Sequence, residues 1–230
     1  MKAILMPGDR VTEIVEKAVP EPNPDQIILK NRAAGLCGSD LHLFYRPPAS
    51  ERNAIMFGLQ LNSKIIPGHE GAGEVSKVGS NVKHLKVGDR VAVAHISGCG
   101  NCISCRRGWD LHCKNKTTYA LDRDGFLSDY TLVDARDCVT LPPNISFEEG
   151  AFWACGAGTA WSAINRLNLP VGSILGVVGL GPVGAAAVLI ASKLGLRVIG
   201  FDPVAERREF AINLGAEKCY DPTKREELSV

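Results

Sequence analysis

Between residues 167 and 192 the chain carries no charged side chain, and this run constrains the fold more than any other feature. Its length alone would admit a membrane span. The string Gly179-Leu180-Gly181-Pro182-Val183-Gly184 interrupts it, and a glycine-rich turn with a proline has no place inside a lipid-exposed helix. The run therefore reads as a buried strand over 174–178, a tight turn, and an Ala-rich helix over 185–194. Gly195 closes that helix, residues 197–201 form a second buried strand ending at Asp202, and residues 206–214 form a second helix closed by Gly215. A third strand begins at 218–220. This βαβαβ order predicts a parallel sheet.

The chain before it is patterned differently. Short apolar or alternating stretches at 11–15, 26–30, 73–78, 90–95 and 130–133 are punctuated by Gly, Pro, Asn and Asp, which predicts a β-rich, barrel-like or sandwich-like domain. The connector Leu141-Pro142-Pro143-Asn144 marks the change, and Ser146 followed by Glu148 and Glu149 reads as a helix cap with an acidic first turn. Residues 148–167 are expected to be helical, with interruptions around Gly156 and Gly158. The expected domains are 1–150 and 151–230. With 26 Lys+Arg against 25 Asp+Glu, nothing in the charge favours nucleic acid or an acidic membrane surface. The start MKAILMPGDR reads as lacking a signal peptide, so a reducing, cytoplasmic setting is expected.

Eight cysteines then point to metal before disulfides. Cys99-x2-Cys102-x2-Cys105-x7-Cys113 places four thiols within fifteen residues, enough to close a tetrahedral shell around Zn²⁺ in a lobe at about 95–115. An iron–sulfur cluster is the rival, but its ferredoxin pattern wants Cys-Pro, and Lys114 follows Cys113. A second set is dispersed: Cys37-Gly-Ser-Asp-Leu-His42, Pro67-Gly-His69-Glu70, and Ala154-Cys155-Gly156. Taken singly each piece is weak, since an isolated Cys is usually a small core hydrophobe. Cys138 and Cys219 match no motif and read as core residues.

The glycine string gains meaning from its context: it follows a strand, opens a helix and is trailed by Asp202 at the end of the next strand. Gly179 would make the tight turn, Gly181 would let the backbone approach a pyrophosphate, and Gly184 would permit close helix–strand packing. Asp202 would hold the adenosine ribose hydroxyls and favour NAD over NADP, while Arg207 and Arg208 lie near enough to weaken that preference.

The order of these pieces resembles the zinc-containing medium-chain alcohol dehydrogenase family along the whole chain. GHEGAGEV followed by VGDRV is similar to the family's GroES-like catalytic domain. The resemblance implies a β-rich GroES-like domain followed by an incomplete, half (βαβαβ) Rossmann domain. It implies Cys37, His69 and Cys155 as catalytic zinc ligands, Glu70 as a carboxylate beside the metal, Asp40 as the acid orienting His69, and Ser39 with His42 as a proton relay. Cys99, Cys102, Cys105 and Cys113 would hold the structural zinc. Gly179, Leu180, Gly181, Pro182, Val183, Gly184, Asp202 and Arg207 would bind the cofactor. The implied reaction is hydride transfer between a small-molecule alcohol or aldehyde and NAD, with the alkoxide on a catalytic zinc and two Zn²⁺ per chain.

Length complicates that expectation. At 230 residues the chain reads as truncated after the first half of a dinucleotide fold, with the nicotinamide half expected to be absent and NAD binding weak or partial. The alternative is a zinc-bound non-redox enzyme or a catalytically silent binding protein. A three-stranded sheet also leaves the strand at 174–178 as an apolar edge that must be covered, for which a homo-oligomer through a non-standard interface is expected. The stretch 44–63, with Arg46, Pro47, Pro48, Arg52 and Phe57, reads as a substrate-side loop or a mobile surface loop.

Overall fold

A computed structural model describes residues 1–48, 55–56, 59–60, 62 and 64–224. Half of the substrate-side stretch, Arg52 and Phe57 included, lies outside these residues, as do positions 225–230. The chain divides into two compact units, Met1–Cys155 and Gly156–Val230.

In the first unit β1 (Lys2–Gly8) and β2 (Val11–Glu16) form a hairpin, followed by the long strand β3 (Gln26–Gly35). A short helix α1 (Gly38–Asp40) runs into a π-helical turn, Leu41–Tyr45, which buried Phe44 anchors against Met6 and Ala120. After a small hairpin of β4 (Ile55–Met56) and β5 (Leu59–Gln60) come β6 (Glu70–Val78), β7 (Arg90–Val93) and β8 (Ile96–Ser97). Next are α2 (Ile103–Arg106), β9 (Thr117–Thr118), β10 (Tyr130–Asp134), β11 (Cys138–Thr140) and α3 (Phe147–Phe152). Five strands make one antiparallel sheet in the order β10-β3-β6-β7-β11. Period-two alternation puts Ile27, Leu29, Val75, Val91 and Val93 into one core with Tyr119, Phe126 and Val133.

Two features of this sheet position the site. The β3–β6 register pairs Gly35 with Glu70, so the chain just past β3 and the chain just before β6 meet at one end of the sheet. Ser146 caps α3 as expected: its hydroxyl accepts from the Glu149 N–H at 3.1 Å, and the Glu149 carboxylate accepts from the Ser146 N–H at 2.7 Å. Small residues Ala72, Ala92 and Ala151 are buried together where α3 lies on β6 and β7. The helix then loosens into a π-helical turn, Trp153–Ala157, which contains Cys155. The expected interruption near Gly156 is thus a widened turn, a deformation common at functional sites.

The second unit holds α4 (Gly158–Leu167), β12 (Ile174–Val178), α5 (Pro182–Lys193), β13 (Arg197–Phe201), α6 (Ala205–Asn213) and β14 (Lys218–Tyr220). The three strands pair in parallel in the order β12-β13-β14. Helix α5 begins earlier than the expected 185, because Pro182 occupies its first turn, where a missing N–H costs nothing and the ring presets φ. Among the described residues β12 is an edge of the sheet, as expected, but Val178, in the run read as buried, is 83% exposed. Among the described residues no helix is long and apolar enough to cross a membrane.

Candidate metal and cofactor sites

The sheet end described above gathers donors that lie far apart in sequence. Cys37 caps α1, two residues beyond β3; His69 immediately precedes β6 and Glu70 opens it; Cys155 comes from the π-helical turn. One ligand atom from each of these four residues lies within 4.8 Å of every other. Asp40, fully buried at 0% exposure, fixes the set: its carboxylate accepts from the Cys37 N–H at 2.9 Å and from the Gly68 N–H at 3.3 Å. The same carboxylate stands 3.4 Å from His69 Nδ1, which leaves Nε2 free for a metal.

The electrostatics suit a cation. Hydrogen bonds from the Cys155 thiol and His69, opposed by burial and reinforced by Ser39, draw Cys37 down to about 2. Burial would lower His69, yet Asp40 and Cys37 raise it to about 10. Hydrogen bonding to Cys37, then burial, pushes the Cys155 thiol up, and burial with the Cys37 charge raises Glu70. The groups therefore share protons around one thiolate, and a divalent cation would displace those protons. Two sulfurs, one imidazole nitrogen and one carboxylate at such spacing fit Zn²⁺. His42 is exposed on the π-helical turn after α1 and falls outside this cluster, whereas Ser39 hydrogen-bonds to Cys37.

The four-cysteine set also closes. One sulfur from each of Cys99, Cys102, Cys105 and Cys113 lies within 4.8 Å of the others, and Cys102 and Cys105 are 3.5 Å apart. Sulfurs at about 2.3 Å from a tetrahedral zinc would be about 3.8 Å apart, so the residues fit the ion. Backbone N–H groups already point at the sulfurs: Cys99 N–H at Cys113 Sγ (3.4 Å) and Cys105 N–H at Cys102 Sγ (3.5 Å).

In the second unit the glycine string turns between β12 and α5. Gly179 adopts φ +86°, open to glycine and strained for other residues. A side chain at Gly184 would collide with the Gly179 carbonyl, so this glycine serves close packing. At Gly181 no atom lies within 4 Å of the missing side chain, so no packing need of the chain itself accounts for that glycine. Leu180 is buried, Pro182 and Val183 begin α5, and Val183 is exposed. Asp202 is 2% exposed and accepts from the Leu180 and Val204 N–H groups, each at 2.8 Å. It thus braces the glycine turn, with Arg207 Nη1 3.6 Å away and Arg208 donating to its carbonyl.

Sequence patterning missed two groups. His95 donates from Nδ1 to the Ala154 carbonyl at 3.0 Å, with its ring centroid 5.2 Å from that of His69. Burial lowers its basicity, so it sits beside the ligand set as a neutral ring. Asp110 and Arg136 pack at the four-cysteine lobe. No spacing rule marks His95 or Arg136, because tertiary pairing alone brings them to the two donor clusters.

The chain matches the alcohol dehydrogenase GroES-like domain family over residues 23–143. It is 40% identical over 218 residues to an uncharacterised zinc-type alcohol dehydrogenase-like protein, YphC, of Escherichia coli K12, covering 94% of this chain and 61% of that one. It is similar to galactitol-1-phosphate dehydrogenase from Escherichia coli (TM-score 0.85, 27% identity, 97% of this chain and 62% of that chain). It is also similar to a zinc-binding dehydrogenase from Sinorhizobium meliloti bound to NADP (TM-score 0.82, 27% identity, 96% and 62%). The chain thus spans about 60% of the length of the curated relatives it matches.

Proposed function

This chain belongs to the alcohol dehydrogenase family that carries the GroES-like domain, and on that footing we propose that it transfers hydride between a small-molecule alcohol or aldehyde and NAD at a catalytic zinc. The observation that carries the reading is the convergence of Cys37, His69, Glu70 and Cys155 around buried Asp40. Two Zn²⁺ per chain accompany it, a catalytic ion on Cys37, His69 and Cys155, and a structural ion on Cys99, Cys102, Cys105 and Cys113.

Zinc, when bound, supplies Lewis-acid polarisation of the alcohol oxygen, and NAD supplies the hydride acceptor. The chain does the rest. Asp40 holds His69 in the Nδ1–H form, Glu70 stands beside the sulfurs as a further carboxylate donor, and Ser39 Oγ accepts the alcohol proton while releasing its own hydroxyl proton toward solvent. His42, exposed to solvent, passes that proton out. His95 forms a neutral wall beside the ligands, where a substrate hydroxyl can find an acceptor. The glycine string and the N-terminus of α5 take the pyrophosphate, and Asp202 the adenosine ribose, which favours NAD over NADP. A reducing cytoplasmic setting suits eight cysteines that are all free of disulfides.

A second reading rests on the three-stranded cofactor sheet of the described residues: a zinc-bound protein that holds the adenylate half of NAD without turning over alcohol. Metal analysis, calorimetry and turnover assays separate the two. The dehydrogenase reading expects two zinc ions, one of them lost in Cys155→Ser, and alcohol-dependent NADH production. A single zinc insensitive to Cys155→Ser would remove the catalytic centre. Two zinc ions with NADH bound no tighter than ADP-ribose would favour the silent protein.

A further inference from the structure

The four-cysteine lobe is a long excursion from the sheet domain, and its ends are held by one side chain that no metal-binding pattern includes. Arg136 lies in the single 3-10 turn Ala135–Asp137 between β10 and β11. Its Nη1 donates to the Gly98 carbonyl at 2.6 Å, one residue before Cys99. Its Nη2 donates to both carboxylate oxygens of Asp110, at 3.2 and 3.4 Å, three residues before Cys113. One planar fork therefore grips the lobe where it leaves the sheet domain and where it returns.

The corner it grips is tight. A side chain at Gly98 would collide with the Asp110 carboxylate and the Cys105 sulfur, so those two groups press on the Gly98 backbone. Asp110 heads the 3-10 turn Asp110–His112, and its carbonyl accepts from the Cys113 N–H at 2.9 Å. The Asp110 carboxylate and the Cys105 sulfur both lie against the same Gly98 backbone. Through Asp110, Arg136 therefore reaches two of the four ligands. Cys99 and Arg136 both line an open groove of about 480 Å³ on one side of the lobe.

Charge gives the arrangement its purpose. A zinc ion on four thiolates carries a net charge of −2, and Asp110 beside Cys105 adds to it. Arg136 is the cation that faces both Asp110 and, at 3.9 Å, Asp137. We propose that Arg136 is the positioning residue of the structural zinc lobe: its guanidinium ties Gly98 to Asp110, offsets the charge of the thiolate shell and slows loss of the ion. This rests on the four cysteines holding zinc, as proposed above.

As a partly exposed ion pair, Arg136–Asp110 contributes little to global stability. Its effect is expected in metal release. With zinc-loaded protein and a chromogenic chelator, Arg136→Met is expected to release one zinc about tenfold faster or more than the wild type. The other zinc should leave at its wild-type rate and the melting temperature should hardly move. Arg136→Lys, which keeps the charge and loses the fork, should fall between the two. Asp110→Asn, which keeps an acceptor for Arg136, should speed release less than Arg136→Met and gives a second readout should Arg136→Met fold poorly. Equal acceleration of both zinc ions, or wild-type release from Arg136→Met, overturns the proposal. A wild type whose zinc content is unaffected by Cys113→Ser overturns the zinc assignment of the lobe as well, which distinguishes the two failures.

Discussion

Asp134 and Asp137 lie three residues apart and share a buried network with Tyr119, yet their surroundings drive them in opposite directions. Burial would raise Asp134, but Arg123 at 2.6 Å, Gln26 at 2.7 Å and Ser97 at 2.8 Å hold it down to about 2. Asp137 accepts from the Tyr119 hydroxyl at 3.0 Å, which does not offset its burial, and it is pushed up to about 6. A depressed carboxyl contributes stability above its unfolded value of about 4, lost as pH falls toward 2. A raised one does the reverse: its contribution is full below about 4 and is lost as pH rises through 6. Asp137→Asn keeps an acceptor for Tyr119 and removes that titration. Relative to the variant, the wild type is therefore expected to lose on the order of 3 kcal/mol between pH 4 and pH 7. Parallel melting curves for the two proteins across that range would refute it.

At the scale of elements, the turn between β12 and α5 separates packing from binding. Gly184→Ala drives a methyl into the Gly179 carbonyl and is expected to cost about 1–3 kcal/mol in thermal unfolding. Gly181→Ala meets open space at φ −68°, so its stability should change by less than about 1 kcal/mol. Its affinity for ADP-ribose should nevertheless fall, because the methyl stands where a pyrophosphate must approach. Wild-type ADP-ribose binding by Gly181→Ala in calorimetry would show that no phosphate approaches there. Much at this scale was legible in the sequence, because the signals are local. The Ser146 cap with its acidic first turn, the β12 and β13 boundaries and the α5 stop at Gly195 each depend on a few neighbouring residues. The start of α5 was misjudged because Pro182 reads as a turn residue until its N–H is seen to be one the helix does not need.

At the largest scale, the flank of β12 is open among the described residues. Its outer edge pairs with no strand among the described residues, while Ile174 and Val178 are 61% and 83% exposed. An apolar parallel edge of this kind recruits another strand. We expect the wild type to self-associate in sedimentation velocity and Val178→Lys to shift it toward monomer, since a lysine on an edge strand opposes pairing. A monomeric wild type at the same concentration would set the oligomer aside.

What the sequence determined by itself was whatever a short stretch can encode. Four cysteines within fifteen residues are already tethered near one another, and a strand–glycine–helix order needs only its own neighbours to form. The tertiary structure alone decided the other centre. Cys37, His69 and Cys155 are separated by long stretches of chain, and they meet because the hydrogen-bond ladder sets Gly35 opposite Glu70 and small side chains let α3 down onto β6 and β7. The same long-range pairing brought Asp40 to His69, His95 to Ala154 and Arg136 to Asp110. No spacing along the chain encodes such meetings, because a one-residue slip in the ladder would send each side chain to the opposite face.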